Sequence, residues 1–180
     1  MPETVVALGS LPEIIRNENN LYDGDLRFYF RVISKYAQNL QHPYHNFRHM
    51  LHVMWLCYQA CCFYHVDLHV DMTHRRMRNL LIAALFHDVD HSGLKGEDDL
   101  NIERAIRFFQ KHILPEDRPY GRSIIELIRA TQYPYVIPSV VLSLEGLIIR
   151  DADMAQVFSA AWMMSRKVRL GSTSAMSNSS

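Results

Sequence analysis

Apolar positions recur along this chain at helical spacing. In DGDLRFYFRVISKYAQNL they fall at Leu26, Tyr29, Phe30, Ile33, Tyr36, Ala37 and Leu40, the i, i+3, i+4, i+7 rhythm of a helix with one buried face. Pro43 breaks that run, because it lacks the N–H that a helix interior needs. A second helix is predicted after Asn46, whose side chain can accept from the first free backbone N–H groups. It runs through FRHMLHVMWLCYQACCFY to about Tyr64. Thr73 caps a third, carrying RRMRNLLIAALFHD, which leads into a Gly-rich acidic loop, HSGLKGEDD. LNIERAIRFFQKHI stops before Pro115 and GRSIIELIRATQ stops before Pro134. PSVVLSLEGLIIRDADMAQVFSAAWMM supplies one or two more helices. There is no hairpin signal and no internal repeat. The pattern predicts an all-α compact bundle forming one domain over 21–168. A short segment, 1–20, precedes it, and a Ser-rich tail, 169–180, is expected to be disordered.

Composition narrows the function classes. Nineteen basic and nineteen acidic residues give a formal net charge of zero, so no global field favours nucleic acid or an anionic membrane surface. An anionic partner must be drawn by local charge. No apolar run approaches the ~18 residues of a membrane span, and the N-terminus lacks the basic region of a secretory signal. Cys57, Cys61 and Cys62 lie in one apolar helix and are odd in number. They read as reduced core residues, which favours a cytoplasmic protein. The outlier is histidine, with ten copies.

The chemistry concentrates where the apolar run NLLIAAL ends in FHDVDHSG. Burying a His–Asp pair is costly unless something compensates for it, and a metal ion is one such compensation. His87 and Asp88, adjacent at a helix end, can share one ion. Ala83 and Ala84, one turn earlier, leave room for a close neighbouring helix. In PYHNFRHM, His49 falls in the first helical turn, whereas His45 precedes the cap and approaches from another direction. The charged RDAD inside an apolar stretch offers Asp151 or Asp153. Together these residues give His, His, Asp and Asp donors on three helices, a mixed N/O set suited to zinc, iron, manganese or a similar divalent ion with positions left for water.

In this order, YHNFRH, FHDVDHSG, ATQ and RDAD resemble the HD-domain metal-dependent phosphohydrolases. They are closest to the branch of class I cyclic-nucleotide phosphodiesterases; NIERA and ATQYP are also similar to the smaller HD phosphohydrolases. The resemblance spans about residues 43–155. It implies that His49, His87, Asp88 and Asp151 hold a first metal (Zn, Mn or Fe) and that Asp88 bridges to a second (Mg or Mn). His45 would be the general acid. His91 would orient water from behind the ligands, with Glu103 and Thr131 as weaker candidates for that place and Asp90 either behind the ligands or structural. Tyr44 adjoins His45 in sequence, where it either shapes the substrate pocket or serves as a hydrophobic staple. Two cations about 4 Å apart can share a hydroxide, aim it at phosphorus and neutralise the charge that builds on its oxygens. A histidine can then protonate the leaving alkoxide.

The implied substrate is a small nucleotide phosphoester, best a 3',5'-cyclic nucleotide opened to its 5'-monophosphate. A non-cyclic nucleotidase or other phosphomonoesterase, a catalytically silent metal- or nucleotide-binding regulatory domain, and a di-iron oxygenase are the alternatives. The family pattern carries an Asn soon after HxG, where this chain has LKGEDD. No counterpart of its purine-clamping Gln and stacking aromatic is found. The remaining histidines have blander readings. His52 packs or lies at the surface, His65 and His69 belong to a solvated connector, and His42, His74 and His112 are surface or helix-end residues. Arg75, Arg76 and Arg78 read as a solvated helix start, the aromatic stripe at 28–36 as core, and the VFSAAWMM face as a candidate homodimer contact.

Overall fold

The third predicted helix forms the axis of the molecule. In the computed structural model, which describes residues 26–94 and 96–155, it spans His74–Phe86 and every residue from Met77 to Phe86 is buried. From Leu80 to Phe86 it is apolar on every face, which requires neighbours on all sides. Around it pack α1 (Arg27–Tyr36), α2 (Phe47–Val66), α4 (Asp98–His112), α5 (Gly121–Ala130) and α6 (Leu144–Ala155), with His74–Phe86 as α3. Short 3₁₀ turns at Arg118–Tyr120 and Ser139–Val141 complete the described elements. No strand occurs among the described residues, and none of their helices is long and apolar enough to cross a membrane. The segment 1–20, the VFSAAWMM face, the Ser-rich tail and both boundaries of the expected domain lie outside the described residues.

The caps fall where the sequence places them. The Asn46 side chain accepts from the His49 N–H (3.1 Å), and Thr73 accepts from the Arg76 N–H (3.2 Å), each satisfying a donor with no helical partner. Cys57 and Cys61 are buried free thiols, with Cys62 partly buried, as expected.

Two expectations fail. The first helix stops at Tyr36 rather than reaching Leu40, because Gln38 and Asn39 bond to the turn after α3 instead. Tyr36, the last helical residue, is half exposed and stacked on His112. The arginines are not a uniformly solvated helix start. Arg78 is buried, and its guanidinium donates through Nε and Nη2 to both oxygens of Asp117 (2.9 Å each). Arg75 (2.7 Å) and the Tyr29 hydroxyl (2.7 Å) also donate to that carboxylate, and Arg76 pairs with Glu145.

Candidate metal and acid site

Three elements converge at one end of α3. His49 stands in the first turn of α2, fixed there by the Asn46 cap. His87 and Asp88 leave the C-terminal end of α3 as the chain turns. Asp153 projects from α6. His49 Nε2 lies 3.2 Å from His87 Nε2, 3.2 Å from Asp88 Oδ2 and 3.1 Å from Asp153 Oδ1. His87 Nε2 is 3.5 Å from Asp153 Oδ1 and 3.8 Å from Asp88 Oδ2. Both rings are almost fully buried.

His87 Nδ1–H donates to the Ala84 carbonyl (2.8 Å), so a neutral His87 carries its lone pair on Nε2, aimed into the cluster, and a protonated one carries an N–H there. Two imidazole nitrogens facing each other at this distance need a proton or a cation between them. Burial alone would lower the His49 pKa, but the Asp153 and Asp88 carboxylates outweigh it and push it up to about 10. His87 is raised in the same way, against burial, by Asp88 and Asp153. Burial opposes ionisation of Asp88, yet the charge of His87 and the hydrogen bonds from His45 and His49 hold it well below the usual carboxylate range. Asp153 is lowered by His49 and His87, again against burial. Two borderline nitrogens and two carboxylates converging on one point fit a divalent transition metal or zinc.

His45 approaches from the α1–α2 connection, outside this set. Its Nδ1 lies 2.7 Å from Asp88 Oδ2, and its ring stacks on His91 at 3.5 Å between centroids and 11° between planes. His45, Asp88 and His91 place donor atoms within 4.8 Å of one another, as do His49, His87 and Asp153. Asp88 therefore joins the two triads. Burial lowers the His91 pKa to about 4, so that ring is neutral near pH 7. The Tyr44 ring packs 5.0 Å from His49 and 4.8 Å from His45, and burial together with Asp153 and Asp88 pushes its phenol up to about 12.

Several expected positions are corrected. Asp151 is exposed, and Asp153 occupies the place proposed for it. The inward face of α6 is marked by the fully buried Ile149, four residues before Asp153. Glu103 is exposed and pairs with Arg129 (3.4 Å). Thr131 is buried, but its hydroxyl donates to the Ile128 carbonyl (2.8 Å) and closes α5. Asp90, by contrast, accepts the Gln38 N–H (2.7 Å), a backbone tie in keeping with the supporting or structural place expected of it.

Other residues were not anticipated. His42 is half-buried, and its Nδ1 accepts the backbone N–H groups of Tyr44 (3.2 Å) and His45 (2.9 Å). Asn101 reaches from α4 so that its Oδ1 accepts the Ser92 N–H (3.0 Å) and its Nδ2 lies 3.2 Å from His91 Nε2. An asparagine side chain thus stands at the HSG turn although none follows it directly in sequence.

Residues 44–111 match the profile of the 3'5'-cyclic nucleotide phosphodiesterase family. The match supports a class I cyclic-nucleotide-phosphodiesterase-like domain, and it covers His45, His49, His87 and Asp88. Comparison with curated proteins and with solved structures gave no match.

Proposed function

We propose that this chain is a metal-dependent phosphohydrolase of the HD type that opens a 3',5'-cyclic nucleotide to its 5'-monophosphate. The carrying observation is the convergence of His49, His87, Asp88 and Asp153, with His45 hydrogen-bonded to Asp88. The family match supports the reading over four of those five positions.

His49, His87, Asp88 and Asp153 would hold the first ion (zinc, manganese or iron), and Asp88 would share a second (magnesium or manganese). Bound there, divalent ions activate water and neutralise charge on the phosphoryl oxygens. The chain's own residues do the rest. The Ala84 carbonyl keeps the His87 lone pair on Nε2. Asp88 engages His45 through Nδ1, so Nε2 is the atom that passes a proton to the departing O3'. His91 holds the plane of that ring by stacking. Because the chain has no net charge, the anionic substrate is attracted by the cations and not by a wider field.

The test is incubation of pure protein with cyclic and non-cyclic nucleotides plus Mn²⁺, Mg²⁺ or Zn²⁺, with products separated by chromatography and Asp88→Ala as control. The expected product is a 5'-monophosphate from a cyclic nucleotide, absent in the control. Free phosphate from a monophosphate would instead identify a nucleotidase. Tight nucleotide binding without product under every metal would identify a regulatory domain.

A further inference from the structure

Asn39 lies in the α1–α2 connection and is only 7% exposed. Each of its side-chain polar atoms is engaged. Nδ2 donates to two carbonyls, those of His45 (2.6 Å) and Asp88 (2.7 Å). Oδ1 accepts the Asp90 N–H (3.0 Å). Two carbonyls on one side and one N–H on the other fix the amide orientation without ambiguity. A return bond completes the bracket, because Asp90 Oδ1 accepts the Gln38 N–H (2.7 Å). Asp90 itself has φ +60°, a left-handed conformation uncommon for a non-glycine residue. That turn aims its N–H at Asn39 and its carboxylate at Gln38.

The two carbonyls that Asn39 grips belong to His45 and Asp88, the residues whose side chains meet at 2.7 Å. His45 sits on a connection, where backbone freedom is greatest, and Asp88 sits just past a helix end. One buried amide therefore spans both backbones directly behind that contact.

We propose that Asn39, with Asp90 as its counterpart, is a positioning residue that sets the His45–Asp88 hydrogen bond. The geometric part stands on the described contacts alone. Its catalytic consequence rests on the function proposed above. If His45 is the acid, its displacement lowers kcat by about 100-fold and leaves KM little changed, the response to misplacement of a reacting group.

The primary readout is independent of turnover. The proton between His45 Nδ1 and Asp88 Oδ2 gives a downfield, exchange-protected NMR resonance in the full chain in chelating buffer, identified by its loss in His45→Gln. Asn39→Ala is expected to abolish it. Asn39→Asp keeps the shape and the acceptor for Asp90 but lacks both donors. It is expected to abolish the resonance too, and it carries the test if Asn39→Ala does not fold. Asp90→Asn keeps the acceptor for Gln38 and retains the signal. Thr73→Ala, which removes the α3 cap away from the clamp, also retains it. A folded Asn39 variant with the resonance at its wild-type position overturns the proposal, as does equal loss in Thr73→Ala. Loss confined to the Asn39 variants in a chain that hydrolyses no nucleotide overturns the functional reading and leaves the positioning role standing.

Discussion

Asp151 and Asp153 stand two positions apart on α6, and at about 100° per residue their side chains leave the axis on nearly opposite sides. Asp153 meets His49 and His87, whereas Asp151 faces solvent. Asp153→Asn should therefore weaken zinc binding by more than about 100-fold, above the loss typical of a residue that merely orients a ligand. Asp151→Asn should change it by no more than about twofold, as for an exposed site. Equilibrium dialysis with metal analysis reads both, and equal losses would return Asp151 to the ligand set. The meeting of His45, His49, His87 and Asp88 is legible in the sequence because each lies in a dense motif beside a cap or a helix end that fixes its direction. RDAD offers two carboxylates in a helix whose start was ambiguous, so its phase had to come from the buried positions Ile149 and Ala152. Tyr44, singled out for its place beside His45 in sequence, packs against His45 and His49.

At the scale of elements, helix spans were legible and the connections were not. Apolar periodicity and the Asn46 and Thr73 caps set α2 and α3. The connections owe their shape to polar side chains whose partners are distant in sequence, and no local pattern announces such a pairing. His42 illustrates this. It looks like a surface residue, yet its ring accepts two backbone N–H groups of the His45 connection and packs over Gly93. Gly93 has φ +71°, and a Cβ there would clash with the His42 ring. Gly93→Ala combines left-handed strain with that clash and should destabilise the fold by about 1–3 kcal/mol. It should also disturb the His45 connection, shifting the His45 ring resonances, whereas Gly96→Ala has open space at its Cβ and meets only the left-handed strain. Urea denaturation gives the first quantity and NMR the second. A Gly93→Ala protein with unshifted His45 resonances would mean that His42 does not shape the connection.

Across the whole molecule, one carboxylate joins parts that are remote in sequence. Asp117, in the α4–α5 connection, receives Tyr29 from α1 and Arg75 and Arg78 from α3. The sequence concealed it because arginines near a helix start ordinarily point to water, whereas α3 is enclosed and carries Arg78 inward. Burial alone would raise the Asp117 pKa, but Arg78, Tyr29 and Arg75 together hold it below the ordinary carboxylate value. The unfolded chain therefore binds a proton more readily than the folded one. The contribution to stability is fully present above the unfolded value of about 3.9 and is lost as pH falls through the lower folded value. Asp117→Asn leaves Arg78 buried without its charge partner, which should cost about 3–5 kcal/mol above that window. It also removes the titrating group, so the variant's stability should fall less steeply below about pH 4 and the two curves should converge in acid. Urea midpoints taken across that range for both proteins decide the matter. Curves that stay parallel would show that the acid sensitivity of this fold arises elsewhere, with the His–Asp cluster at the end of α3 as the next group to substitute.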